Sequence, residues 1–299
     1  FLTLSAYDRP IRGRDFLKSN NDTLAIMQDV LAALEGGPAL FVFTITDVGS
    51  FSDLLPGGKI AFKNDVMEQL GSSGDSDLDE LLESYARTAL ARGKGSDAST
   101  VYISRDLYGS VSLTNRRGGA EEKSARILAQ LFTGSPRLLI VGGGHVALAL
   151  ARVGEIVGFE IVVTDDRESF ANEDRFPMAT IIDVAEPSDA IPRLVGQAET
   201  FIVLVSRGHR LDEDGLRQAL KTEASYIGMI GSKRRTETVL RHMAEEGVRQ
   251  ELLDAVSTPI GLNIGAETPE EIAVAIVAEI LMLRNGESGN RMIDGARKK

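Results

Sequence analysis

The sequence predicts an α/β protein in two parts, the second built on a doubly wound parallel sheet. Three observations carry that expectation. From residue 137 onward, short apolar runs alternate with helical patterns, strand then helix, several times over. The first of these runs feeds directly into Gly142-Gly143-Gly144-His145-Val146-Ala147, a Gly-x-Gly-x-x-Ala turn at the start of a helix. The chain is 299 residues long, about the length at which single cores stop growing and chains divide.

In the first part, residues 22–34 read as a helix ended by Gly36 and Gly37. Pro38 leads into a strand over 39–46, rich in Phe, Val and Ile, with a short partner strand over 59–62. The polar, Gly/Ser-rich stretch 64–77 reads as loop. Residues 78–91 form a helix, because Leu78, Leu81, Leu82, Tyr85, Ala89 and Leu90 share one face. A strand over 100–103, a turn over 116–119 and a helix over 121–132 complete this part. Gly134, Ser135 and Pro136 punctuate the chain, so the expected domains are a smaller α/β unit over 1–135 and the parallel-sheet unit over 136–299.

In the second part, strands are expected over 138–141, 160–164, 179–182, 201–205 and 226–230. Helices are expected over 146–157, 212–221 and 234–246. The last helix, 272–283, is apolar nearly all round and should be buried. Thr268, Pro269 and Glu271 start it with an N-cap, a first-turn proline and a capping box.

The glycine loop has a chemical reading. Gly142 permits a tight turn, Gly144 leaves room for a phosphate to approach the backbone, and Ala147 keeps the helix close to the sheet. Asp165 follows the second strand at the distance where a carboxylate accepts ribose hydroxyls. This makes the C-terminal part Rossmann-like. Gly143 and His145 belong to the same loop, and Asp166 and Arg167 to the polar segment facing it. Ligands of such sheets lie beyond the carboxyl ends of the strands. Ser206, Arg207 and His209 follow the fourth strand, with His209 in a loop. Gly231, Ser232, Lys233 and Arg234 follow the fifth as a basic helix start, a second anion-binding candidate. Arg167 is as compatible with a solvated surface as with covering a phosphate; for Lys233, Arg234 and Arg235 a solvated face is the alternative, and two cationic clusters on one edge of an acidic protein favour the site.

Several classes are not expected. A net charge of −11 leaves no general nucleic-acid surface. No apolar stretch is long enough to span a membrane. With no cysteine in 299 residues, disulfides, thiolate nucleophiles and iron–sulfur clusters are excluded within this sequence. That fits a cytoplasmic protein. The start, Phe1 to Pro10, lacks the basic and apolar runs of a secretory signal; opening on Phe rather than Met, the sequence is expected to lack its natural start. His242 sits in a helix as a surface residue, and no Ser-His-Asp, Tyr-Lys or two-histidine metal pattern emerges, so no catalytic residue and no metal ligand is assigned. From the residues alone, a binding domain, an NAD(P)-dependent oxidoreductase and a nucleotide-sensing domain all remain open.

Four runs in order, "LLIVGGGHVALALA", "VVTDDRESFANEDRFP", "YIGMIGSKRR" and "PIGLNIGAETPEEIAVAIVAEIL", resemble the XdhC/CoxI family, and "SRGHRLD" resembles a variant of its pattern. The N-terminal half is more divergent: "LDELLESYARTALARGKGS" is similar to a helix of the family, but the 71–79 segment lacks the cysteine of the family's glycine-rich run. The resemblance implies an accessory protein, not an enzyme, that binds the molybdenum cofactor (molybdopterin, or its dinucleotide) and protects it through sulfuration. It would insert the cofactor into an apo molybdenum hydroxylase such as xanthine dehydrogenase. A cysteine desulfurase is a further implied partner, and a homodimer is the expected assembly. If family cysteines hold or sulfurate the molybdenum, this chain must manage without them.

Overall fold

In a computed structural model, residues 13–51, 54–64, 67–91, 98–106, 109–114, 124–196, 198–206 and 208–293 are described. The chain divides into two compact units, 1–134 and 135–299.

The first unit contains α1 (Gly13–Leu34), β1 (Leu40–Asp47), β2 (Lys59–Lys63), β3 (Gln69–Leu70), α2 (Ser76–Ala91), β4 (Ser99–Arg105), β5 (Val111–Thr114) and β6 (Ala125–Phe132). Its sheet runs β3-β2-β1-β6-β4-β5 and every pairing is antiparallel. β1 shows why the sheet is covered on both faces. Leu40 and Val42 pack with Ile26, Val30 and Ala33 of α1, while the alternate residues Phe41, Phe43 and Ile45 pack with Leu78, Leu82 and Ala86 of α2.

The helix expected over 121–132 is a strand where it is described. Ala, Leu and Gln favour helix, but Ala125, Ile127, Ala129 and Leu131 are buried in strict alternation, and β6 is hydrogen-bonded to β1 on one side and β4 on the other. Period-two burial in a central strand overrides intrinsic propensity. β3 and β5 escaped the sequence reading because each is too short to show a pattern. The turn expected over 116–119 lies outside the described residues.

The second unit contains β7 (Arg137–Val141), α3 (His145–Ile156), β8 (Glu160–Asp165), β9 (Ile181–Val184), α4 (Pro187–Leu194), β10 (Thr200–Leu204), α5 (His209–Ala219), β11 (Tyr226–Met229), α6 (Lys233–Glu245), α7 (Gln250–Asp254) and α8 (Pro269–Asn285). Its sheet is parallel throughout, in the order β11-β10-β7-β8-β9. A parallel bridge from Gly228 to Ser257 begins a further neighbour beyond β11. This is the doubly wound order, with its reversal between β7 and β10.

Two cores sandwich the sheet. Leu138, Ile140, Ile161, Val163 and Val203 face α3 and α8, and Leu139, Val141, Val162, Ile202 and Leu204 face α4 to α7. α3 lies close because Ala147 is fully buried and because a Cβ at Gly154 would come within 2.7 Å of Leu138 Cδ2. α8 begins with the expected capping box, Thr268 Oγ1 accepting from Glu271 N–H at 3.2 Å. Ile276 and Ile280 of α8 are fully buried, but Val274 and Leu283 are about half exposed, at 49% and 51%, so the helix is not covered all round. α4 and α7, eight and five residues long, lacked a long enough period to be read.

Candidate functional site

β7 ends at Val141 and the chain turns immediately through Gly142. Gly142 has φ +110°, and a Cβ there would lie 2.7 Å from Ser206 Cα, so both backbone conformation and the neighbouring loop demand glycine. A Cβ on Gly143 would lie 2.2 Å from the carbonyl oxygen of Phe170. Gly144 differs. Its φ of −69° suits any residue, and a Cβ there would meet no atom of the chain within 4 Å. Nothing in the described fold requires glycine at this position, which is the N-cap of α3 and makes no side-chain cap bond. A bare helix N-terminus facing open space is where an anion can approach backbone N–H groups.

Asp165, the last residue of β8, is 6% exposed and holds the loop. Its Oδ2 accepts from Gly143 N–H at 2.7 Å and from Arg167 Nη2 at 3.0 Å. Its Oδ1 accepts from the Arg167 backbone N–H at 3.0 Å and from Arg167 Nε at 2.8 Å. Burial pushes the carboxyl up, but the Arg167 guanidinium and the Gly143 and Arg167 N–H groups outweigh it and hold the carboxyl below the usual range. Arg167 also reaches Asp166, at 3.6 Å, and its guanidinium carbon stacks 3.5 Å from the Phe170 ring centre. Arg175 clamps the same loop from behind, donating from Nε to the Gly143 carbonyl at 2.8 Å.

Across the cleft, Ser206 follows β10 beside Gly142. Its hydroxyl meets Asp212 Oδ1 at 2.5 Å, and Arg235 of α6 forms an ion pair with Asp212 Oδ2. Asp212 is 1% exposed. Val141, Gly142, Thr164, Asp165, Asp166, Pro187, Ser206 and Leu211 line a small, open cleft. The cleft sits at the carboxyl ends of β7, β8 and β10, where the strand order reverses.

Of the residues read from sequence, Gly142, Asp165, Asp166 and Ser206 thus converge, with Gly143 and Arg167 forming the support of that wall. Gly144 and the exposed His145 stand at the α3 N-terminus. Gly231, Ser232, Lys233 and Arg234 are absent from the cleft lining; Ser232, Lys233 and Arg234 are exposed at the start of α6, and the neighbouring Arg235 turns inward instead. His209 is the first residue of α5 rather than part of a loop, because the helix begins directly after Gly208. Arg207 lies outside the described residues. His242 is exposed on α6 as expected. The sequence reading missed Asp212 and Arg175, and took Arg235 as part of the basic run facing a ligand, whereas it pairs with Asp212. Only Asp212 carried a signal, as an acid in the first turn of a helix that follows a strand end. Among the described residues, no group of three His, Asp or Glu side chains gathers as a metal site, and no helix is long and apolar enough to cross a membrane.

A parallel sheet of this order, with a glycine loop and a cleft at its reversal, defines the C-terminal unit as a Rossmann-type domain. More particularly, residues 138–280 match the XdhC Rossmann domain, which makes the C-terminal unit a domain of that family. A probable xanthine dehydrogenase subunit of Bacillus subtilis is 29% identical over 165 residues, 54% of this chain and 47% of that protein. An uncharacterized protein YqeB of Escherichia coli is 33% identical over 159 residues, 53% of this chain and 29% of that protein. The chain therefore spans less than half the length of these curated relatives. A crystal structure of a xanthine dehydrogenase from Bacillus halodurans is alike in fold, at a TM-score of 0.50 and 20% identity, over 89% of this chain and 96% of that one.

Proposed function

We propose that this protein is an accessory factor of a xanthine dehydrogenase-type molybdenum hydroxylase, which binds the molybdenum cofactor by its phosphate and passes it to the apoenzyme. Gly144 carries the proposal: it is a glycine that neither backbone conformation nor packing requires, at a bare helix N-terminus beside a cleft. The match of residues 138–280 to the XdhC Rossmann domain and the resemblance to a probable xanthine dehydrogenase component support the choice of cofactor and partner. When bound, the cofactor supplies the molybdenum centre of the hydroxylase. Residues of this chain hold it: the α3 N-terminus takes the phosphate, while Asp165, Arg167 and Arg175 keep the loop in the geometry that exposes those N–H groups. With no cysteine in these 299 residues, none of them would carry sulfur for the cofactor as a thiol. The same proposal takes the protein to act in the cytoplasm as a homodimer. Use as an NAD(P)-linked oxidoreductase is less well supported, since the Asp165 carboxylate that a ribose would need is engaged four times by its own loop.

The test is anaerobic purification from a molybdate-fed host. The protein should retain a pterin that fluoresces on oxidation, and should activate an apo molybdenum hydroxylase in a reconstituted mixture. Gly144→Val should abolish retention without changing the melting temperature. Unaltered retention in that variant, or stoichiometric NAD with substrate-dependent turnover in the parent protein, would reject the reading.

A further inference from the structure

We infer that the wall of the cleft formed by Ser206 is a hydrogen-bond-acceptor subsite, which reads O–H or N–H groups on the part of the ligand next to its phosphate. The inference rests on the phosphate-binding reading above and assigns the other half of the ligand. A serine hydroxyl has one proton. The Asp212 carboxylate is paired with the Arg235 guanidinium and can only accept hydrogen bonds, so the proton of the 2.5 Å Ser206–Asp212 contact is Ser206's own. Ser206 then has only lone pairs to offer the cleft that it lines.

Its neighbours have the same polarity. Thr164 Oγ1 donates to the Ala185 carbonyl at 3.4 Å, and the Asp165 carboxylate, engaged by Gly143 and Arg167, has no proton to give. Among the described residues, these side chains therefore offer the cleft no donor, and Ser206 is the acceptor the inference uses, while the bare first-turn N–H groups of α3 lie beside Gly144. A phosphate against Ser206 would set lone pairs against lone pairs; a sugar hydroxyl, or the amino and ring N–H edge of a heterocycle, completes the pairing. Asp212 and Arg235 are positioning residues. They act through Ser206 by fixing which way its proton points.

The arrangement is tested by calorimetry on the full chain with four probes. Inorganic pyrophosphate carries phosphate alone. ADP adds ribose hydroxyls, 2′,3′-dideoxy-ADP lacks them, and 6-hydroxymethylpterin diphosphate offers an N–H edge. At least one donor-bearing probe should bind more tightly than pyrophosphate: ADP alone if hydroxyls are read, the pterin if the ring edge is read. Ser206→Ala should weaken that probe about three- to tenfold and leave pyrophosphate unchanged, the loss expected for one neutral hydrogen bond. Ser206→Thr should restore it. Asp212→Asn, which frees the hydroxyl to donate, should lower the preference for the donor-bearing probe in the same direction. Pyrophosphate binding as tightly as every donor-bearing probe would overturn the inference, as would Ser206→Ala weakening pyrophosphate in parallel. Failure of pyrophosphate to bind, or its indifference to Gly144→Val, would instead overturn the phosphate site.

Discussion

The two units of this chain use the same materials differently. Both cover a central sheet with helices on two faces, yet β6 of the antiparallel unit is buried in alternation while β7 and β10 of the parallel unit are buried as continuous apolar runs. In the antiparallel unit, neighbouring strands end at opposite edges, so their loops are divided between two sides. In the parallel unit every strand ends on the same side, and β7, β8 and β10 deliver Gly142, Asp165 and Ser206 to one cleft. Parallel topology concentrates chemistry; antiparallel topology disperses it.

Four tests probe that contrast, beginning with the most damaging. Ile276→Asp puts a charge where the parent residue is fully buried against the parallel sheet, and should cost more than about 4 kcal/mol, unfolding the C-terminal unit. A normal melting curve would mean that α8 is dispensable. In the antiparallel unit, Ile127→Ala should cost about 2–4 kcal/mol, while Gln130→Ala on the other face of β6 should stay within about 0.5 kcal/mol. Equal losses in urea unfolding would contradict the alternation.

Within the glycine loop, Gly143→Ala should destabilise by about 1–3 kcal/mol, because its Cβ meets the Phe170 carbonyl at 2.2 Å. Gly144→Ala should leave the melting temperature nearly unchanged. If the two behave alike, the division of labour between packing and ligand access is wrong.

The last concerns pH. The Asp165 carboxyl lies below its ordinary value of 3.8 in the folded protein, so its contribution to stability is fully present above that value. It is lost as the pH falls through the lower folded value. Asp165→Asn should flatten the acid limb of the stability profile relative to the parent. Identical acid limbs would show that the Asp165–Arg167 pair does not contribute.

Much of this was legible in the sequence. The parallel strands, the glycine loop and the α8 capping box follow from residues adjacent in the chain, whose spacing already encodes their geometry. β6 was not legible in the same way: its alternating Ala, Ile, Ala and Leu is embedded in helix-favouring residues, and only hydrogen bonding to β1 and β4 selects the strand. In the site, the sequence reading placed the basic run after the fifth strand toward a ligand. In the structure Arg235, the one cation of the three that turns inward, neutralises Asp212 instead.

By itself, then, the sequence determined a doubly wound C-terminal unit, its glycine loop and the absence of thiols from these 299 residues, because periodicity, glycine placement and composition are local or global properties of the chain. The tertiary structure decided what each polar group is free to do. Asp165 is spent on holding its own loop, and Ser206 is turned into an acceptor by an aspartate six residues on and an arginine 23 residues beyond that. A hydrogen-bond donor can be given only once, and which partner receives it depends on the atoms that folding brings within about 3 Å.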